Sequence, residues 1–72
     1  MINTNNIAKI IGERVKIQRK KQEIDQEKLA EMTNIHKNTM SKIERGIVLP
    51  RVYTLVKIAN ALNVNINDLL YL

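Results

Sequence analysis

Aliphatic residues recur along this chain at the three-and-four spacing of helices, and nowhere with the alternation of a half-buried strand. From about Asn6 to Lys21, the residues Ile7, Ile11, Val15, Gln18 and Arg19 share one side of a helix, with Ile10 beside them. Ile17 lies off that stripe and is expected in solvent. Asp25 offers a carboxylate to cap a second helix, and Glu27 stands in its first turn, where the helix dipole favours negative charge. Leu29, Ala30 and Met32 carry that helix to about Thr33, and Asn34 follows where the chain has to reverse, being tolerant of the left-handed conformation. A third helix is expected from about Lys37 to Arg45, with Gly46 as its stop. Ile47 to Pro50 reads as a loop, because the residue before a proline prefers extended geometry. Val52, Leu55, Val56, Ile58, Ala59 and Leu62 give a fourth helix a broad apolar stripe that ends at Asn63. Asn65 caps a last helix with Asp68 in its third position, leading into Leu69, Leu70, Tyr71 and Leu72.

The expected fold class is therefore all-α, a compact five-helix bundle forming a single domain over residues 1–72. Residues from about 26 to 45 hold a two-turn helix, a short turn and a second helix, which is helix-turn-helix spacing. Ala30 lets the two helices approach closely, Ile35 and Met40 fill the space between them, and Ile43 anchors the second to the body. The opposite face of that second helix, in the stretch NIHKNTMSKIERG, carries Lys37, Asn38, Ser41, Lys42 and Arg45. These are hydrogen-bond donors of the kind that reach base edges when a helix lies in a major groove about 12 Å wide.

Charge sharpens this reading. The 72 residues carry a formal net charge of +5, and Lys9, Arg14, Lys16, Arg19, Lys20 and Lys21 oppose only Glu13 in their stretch. Acidic surfaces are the natural partners of such a chain. There is no Phe or Trp and only two Tyr, Tyr53 and Tyr71, so the stacking platforms that grip single strands are missing and double-stranded nucleic acid fits better. Without cysteine, and with His36 as the sole histidine, neither a disulfide framework nor a clustered metal site is expected, and no cofactor is implied. No apolar run approaches the roughly 20 residues that span a bilayer, and no signal peptide opens the chain, so a cytoplasmic, nucleoid-associated protein without a membrane partner is expected. His36 and Ser41 lie more than a turn apart on an exposed helix with no orienting group, and no glycine loop cradles phosphate, so an enzyme is not expected.

The run QEKLAEMTNIHKNTMSKIERG, followed by Pro50, TLVKIANAL and NDLL, resembles the helix-turn-helix family of phage repressors and xenobiotic-response-element-type bacterial regulators. The resemblance covers about Ile11 to Leu70 and implies a lambda-repressor-like five-helix domain that binds operator DNA as a dimer. It places Gln26 on a phosphate, Lys37, Asn38 and Lys42 on base edges, and His36, Thr39 and Ser41 near base edges or backbone; Arg45 shares their face. It also matches Arg19 and Glu44 to a family ion pair linking the first helix to the third. Three positions depart from the pattern: Thr33 replaces an apolar residue, Asn34 a glycine, and Gln22-Glu23 the glycine that commonly ends the first helix. His36 stands where Ser or Thr often caps the third helix.

The function implied is a sequence-specific regulator of transcription, a repressor, reading an inverted-repeat operator with the helix 37–45. A homodimer is expected because Ile47, Leu49, Leu70, Tyr71 and Leu72 place many aliphatics at a loop and a terminus of a small chain. Two other readings compete. One is an antitoxin or operon controller of the same family, whose partner is a protein or its own operon; the other is a basic module docking on an acidic protein or anionic membrane.

Overall fold

The computed structural model describes residues 6–70. Five helices follow in order: α1 (Ile7–Lys21), α2 (Gln26–Thr33), α3 (Lys37–Glu44), α4 (Val52–Leu62) and α5 (Ile66–Leu70). No strand occurs among the described residues. The all-helical, five-helix architecture is the one the aliphatic spacing predicts.

Each boundary has a local cause. Asp25 Oδ1 accepts from the Lys28 amide at 2.7 Å, an N-cap that satisfies one of the orphan donors of α2. Asn34 closes α2 with φ 55°, and Asn63 closes α4 with φ 54°; both are left-handed, the conformation asparagine tolerates. α5 opens on a capping box: Asn65 Oδ1 accepts from the Asn67 amide at 2.9 Å, and Asp68 Oδ2 accepts from the Asn65 amide at 3.1 Å. α3 ends at Glu44, one residue before the expected limit, with Arg45 as its cap and Gly46 in the left-handed region beyond.

Among the described residues, eleven buried apolar side chains make one core: Ile11 and Val15 from α1, Leu29 and Ala30 from α2, Met40 and Ile43 from α3, Leu55, Ile58, Ala59 and Leu62 from α4, and Leu69 from α5. Every helix contributes to it, and helices this short are marginal alone in water. Gln22 ties the end of α1 to the end of α4, its amide donating to the Leu62 carbonyl at 2.6 Å. That carbonyl belongs to the last turn of α4, which has no helical partner for it.

Two expectations for α4 are corrected. Val52 and Val56 were assigned to the inward stripe, yet they are 69% and 38% exposed, while Leu55, Ile58, Ala59 and Leu62 fill the core. Val52 is in phase with the core but lies at the open end of the helix, and Val56 sits on its flank. Ile17, expected in solvent, is indeed exposed.

Glu23 follows α1 with φ 57°, where a residue with a Cβ is strained. This is the position at which the sequence lacks a glycine. Glu23→Gly is expected to stabilise the protein by about 1 kcal/mol, the relief of strain exceeding glycine's larger loss of chain entropy. Thermal unfolding should show a midpoint raised by roughly 4–8 °C; an unchanged or lower midpoint would mean that the turn holds no strain.

Candidate nucleic-acid interface

α3 is held from behind. Met40 and Ile43 are fully buried, and Glu44 is buried beside them, so the helix presents one back to the core. At about 100° per residue, Asn38, Ser41, Lys42 and Arg45 fall on the opposite side, flanked by Lys37 and Thr39. The structure bears this out in exposure: Lys37, Asn38, Thr39, Lys42 and Arg45 are exposed, and Ser41 is half-buried. The donors are thus brought together on one surface.

The geometry of α2 against α3 follows from small residues and one hydroxyl. Ala30 is buried, and the Ile35 amide donates to its carbonyl at 2.9 Å, which closes the turn between the helices. Thr33 is buried where an apolar side chain would be ordinary; its hydroxyl donates to the carbonyls of Leu29 at 2.8 Å and Ala30 at 3.1 Å. A buried hydroxyl with both bonds made costs little. His36 caps α3, with its Nδ1 accepting from the Asn38 amide at 3.1 Å. With Nδ1 engaged by that amide, Nε2 is the ring nitrogen left for an outside partner, on an exposed residue at the start of the helix.

Arg19 and Glu44 form a bidentate pair joining α1 to α3. Arg19 Nε reaches Glu44 Oε2 at 2.7 Å and Nη2 reaches Oε1 at 2.9 Å, while Nη1 donates to the Ile24 carbonyl at 2.8 Å. Gln26 Nε2 donates to the same Glu44 Oε1 at 3.2 Å, so the first residue of α2 is tied to the last of α3. The hydrogen bonds that Arg19 donates to Glu44, and then the charge of that carboxylate, raise the Arg19 pKa above the usual arginine value, against the opposing effect of burial. Position and orientation of α3 thus rest on a fork-to-carboxylate contact with two further hydrogen bonds around it.

Between the start of α2 and α3 lies an open cleft lined by Asp25, Gln26, Glu27, Lys37, Asn38 and Ser41. Sequence spacing did not signal the carboxylates of Asp25 and Glu27 here, because they belong to the other helix. Asp25 is committed to its cap. On α3 itself, Arg45 Nε donates to the Ser41 hydroxyl at 3.1 Å and to the Ser41 carbonyl at 3.3 Å. The i,i+4 pair keeps the guanidinium along the exposed face. A separate hollow runs along α1, lined by Asn6, Lys9, Ile10, Glu13, Arg14 and Ile17, and includes no residue of α2 or α3.

Of the residues expected at a dimer contact, Ile47 and Leu49 are 59% and 60% exposed, whereas Leu70 is half-buried against the core. Tyr71 and Leu72 lie outside the described residues. Among the described residues, no group of His, Cys, Asp or Glu side chains is placed to hold a metal ion, and no helix is long and apolar enough to cross a membrane.

Comparison with known proteins agrees with this geometry. The helix-turn-helix family model matches residues 15–69. The control protein C.BamHI of Bacillus amyloliquefaciens is 40% identical over 68 residues, which cover 93% of this chain and 84% of that protein. Two solved structures share the fold. The restriction-modification controller protein C.AhdI from Aeromonas hydrophila superposes with a TM-score of 0.83 at 24% identity, covering 86% of this chain and 94% of its own. The clp gene regulator ClgR from C. glutamicum gives a TM-score of 0.86 at 22% identity, over 90% of this chain and 84% of its own. These proteins are regulators and point away from an enzyme. With five helices in this arrangement, a donor-bearing helix held by its apolar back, and a family match over most of its length, the chain belongs to the helix-turn-helix family of DNA-binding transcriptional regulators.

Proposed function

We propose that residues 1–72 form a single sequence-specific domain that represses transcription by laying α3 in the major groove of an operator. The observation that carries this is the division of α3: Met40, Ile43 and Glu44 are buried, while Lys37, Asn38, Lys42 and Arg45 are exposed on the other side. Asn38 pairs with adenine N6 and N7, and Lys37 and Lys42 donate to guanine O6 or N7, each good pair discriminating by about 1–3 kcal/mol. Gln26 lies on a phosphate, and its tie to Glu44 sets the register between the α2 start and α3. His36, Thr39, Ser41 and Arg45 bond to base edges or backbone near the ends of the helix. A homodimer on an inverted repeat places paired recognition helices one DNA turn apart, roughly 34 Å. The protein acts in the cytoplasm at the nucleoid.

The controller reading is the second one, and it is favoured by the 40% identity to a control protein. In that reading the operator belongs to the chain's own operon. Selection of binding sites from random duplexes tests both, since an inverted repeat found upstream of the chain's own gene supports the controller.

Asn38→Ala and Lys42→Ala are expected to relax discrimination at particular operator positions, each by about 1–3 kcal/mol. Gln26→Ala is expected to weaken binding to every site alike. Titration of a selected operator and of scrambled duplexes separates the two classes; three unchanged isotherms would remove α3 as the reader. Log affinity should fall with log salt by about 0.9 for each phosphate neutralised, and a flat profile would contradict the electrostatic part.

A further inference from the structure

Of the exposed donors on α3, Lys37, Asn38, Lys42 and Arg45, only Arg45 has its side chain tied down among the described residues. Its Nε donates to the Ser41 hydroxyl at 3.1 Å and to the Ser41 carbonyl at 3.3 Å. That carbonyl already takes the Arg45 amide at 3.0 Å, so the hydroxyl is the less occupied acceptor. The tie uses one of the five guanidinium N–H groups. Nη1 and Nη2 keep their four hydrogens without an acceptor among the described residues. Glu44, next in sequence, is turned inward and committed to Arg19. The far edge of the Arg45 fork is therefore left for a molecule outside the chain.

Direction around the helix separates the two residues. At about 100° per residue, Arg45 falls within about 20° of Asn38, on the front of α3 and away from the buried Met40 and Ile43. Ser41 falls about 60° to one side of Asn38. It is half-buried and lines the cleft against the start of α2. A short side chain recessed there stands behind its exposed neighbours, with its hydroxyl occupied by Arg45.

We propose that Arg45 is the guanine reader of α3, presenting Nη1 and Nη2 to O6 and N7, and that Ser41 is its positioning residue. This rests on the operator reading above and gives the two residues different parts in it. The free edge of the fork calls for two acceptors side by side, which in the major groove only guanine offers on a single base. A phosphate also offers two oxygens, but it stands at the wall of the groove, whereas Arg45 shares the front of the helix with Asn38. Lys37 and Lys42 each bring a compact ammonium on a flexible stem, so the planar fork discriminates more sharply than they do. An untied arginine samples many rotamers, and the bond to Ser41 removes part of that freedom before DNA arrives.

Duplexes selected from random sequence by the wild-type chain supply the probe. Replacing guanine by 7-deazaguanine, one position at a time, exchanges the N7 acceptor for C–H. One guanine in each half-site, so replaced, should lower wild-type affinity about fivefold or more, and Arg45→Ala should lose nothing there. At that position the preference for guanine over the other bases should fall about two- to fivefold in Ser41→Ala and return in Ser41→Thr, which keeps a hydroxyl. A Ser41→Ala protein that weakens on all duplexes alike, with the guanine preference intact, has lost only folding or general affinity and overturns the positioning role. An Arg45→Ala protein that weakens on all duplexes alike, with a salt slope smaller by about 0.9, puts Arg45 on a phosphate and overturns the reader. Without DNA, the Arg45 Nε–H should exchange with water more slowly in wild type than in Ser41→Ala, and equal rates would remove the tether. A wild type that selects no duplex at all fails the operator reading itself and takes this assignment with it, a result distinct from a selected operator on which Arg45→Ala keeps every preference.

Discussion

Glu44→Ala should lower stability by about 3–5 kcal/mol, enough to unfold a large fraction of so small a domain at physiological temperature. The cause is what the substitution leaves behind. Arg19 is buried and keeps its charge at any workable pH, so removing its carboxylate partner strands a guanidinium whose Nε and Nη2 then face no acceptor. Gln26 loses its acceptor as well. The pH dependence has a definite sign. A cation whose folded pKa is raised contributes stability that is fully present below its unfolded pKa and lost as pH rises through the folded one. For Arg19 that loss falls in strong alkali, so the wild-type contribution should be flat across neutral and acidic pH as far as Arg19 alone is concerned. Chemical denaturation of Glu44→Ala and of Arg19→Met, each with the double variant, tests this. Strong coupling is expected, with the double variant more stable than the sum of the singles predicts, because replacing both partners removes the stranded charge. Additive losses would show that the pair is not the cause.

Gly12→Ala is the second large effect, and its sign runs against helix propensity. Alanine at a helix interior ordinarily gains up to about 1 kcal/mol over glycine. At position 12 a Cβ would stand 2.2 Å from the Ile43 carbonyl oxygen and 2.9 Å from that of Glu44, both backbone atoms of α3. Backbone cannot turn aside as a side chain does, so α1 and α3 must move apart. We expect a net loss of about 2–3 kcal/mol, at the upper end of overpacking, and a melting midpoint lower by roughly 10–20 °C. The displacement would also disturb the Arg19–Glu44 contact and, through Gln26, the start of α2. Operator affinity should therefore fall even at temperatures where the variant stays folded. An Ala variant as stable as wild type would mean that α3 has room the structure does not show.

These two predictions mark the division between what could be read from the chain and what could not. The five helices were legible because each rests on a local rule. Aliphatic residues recur at helical spacing, Asp25 and Asn65 cap, Asn34 and Asn63 accept left-handed backbone, and Gly46 does the same beyond α3. The donor face of α3 was legible for the same reason, since Met40 and Ile43 mark its back.

Tertiary structure alone decided the rest. Gly12 carries no periodic signal, and its meaning exists only because the α3 backbone passes beside α1. Thr33 lies buried because its hydroxyl finds two carbonyls one turn back, a satisfaction that no hydropathy pattern records. Val52 and Val56 have the spacing of core residues, but the core ends before it reaches them, and periodicity gives a direction without a depth. Asp25 and Glu27 join the cleft beside Lys37 because two helices cross there. The sequence by itself determined which backbone segments are helical and which side of each is apolar, since those are near-neighbour properties of the chain. Which helix faces touch, and which are left bare, depended on the meeting of residues distant in sequence, where packing and hydrogen bonding leave room for one arrangement.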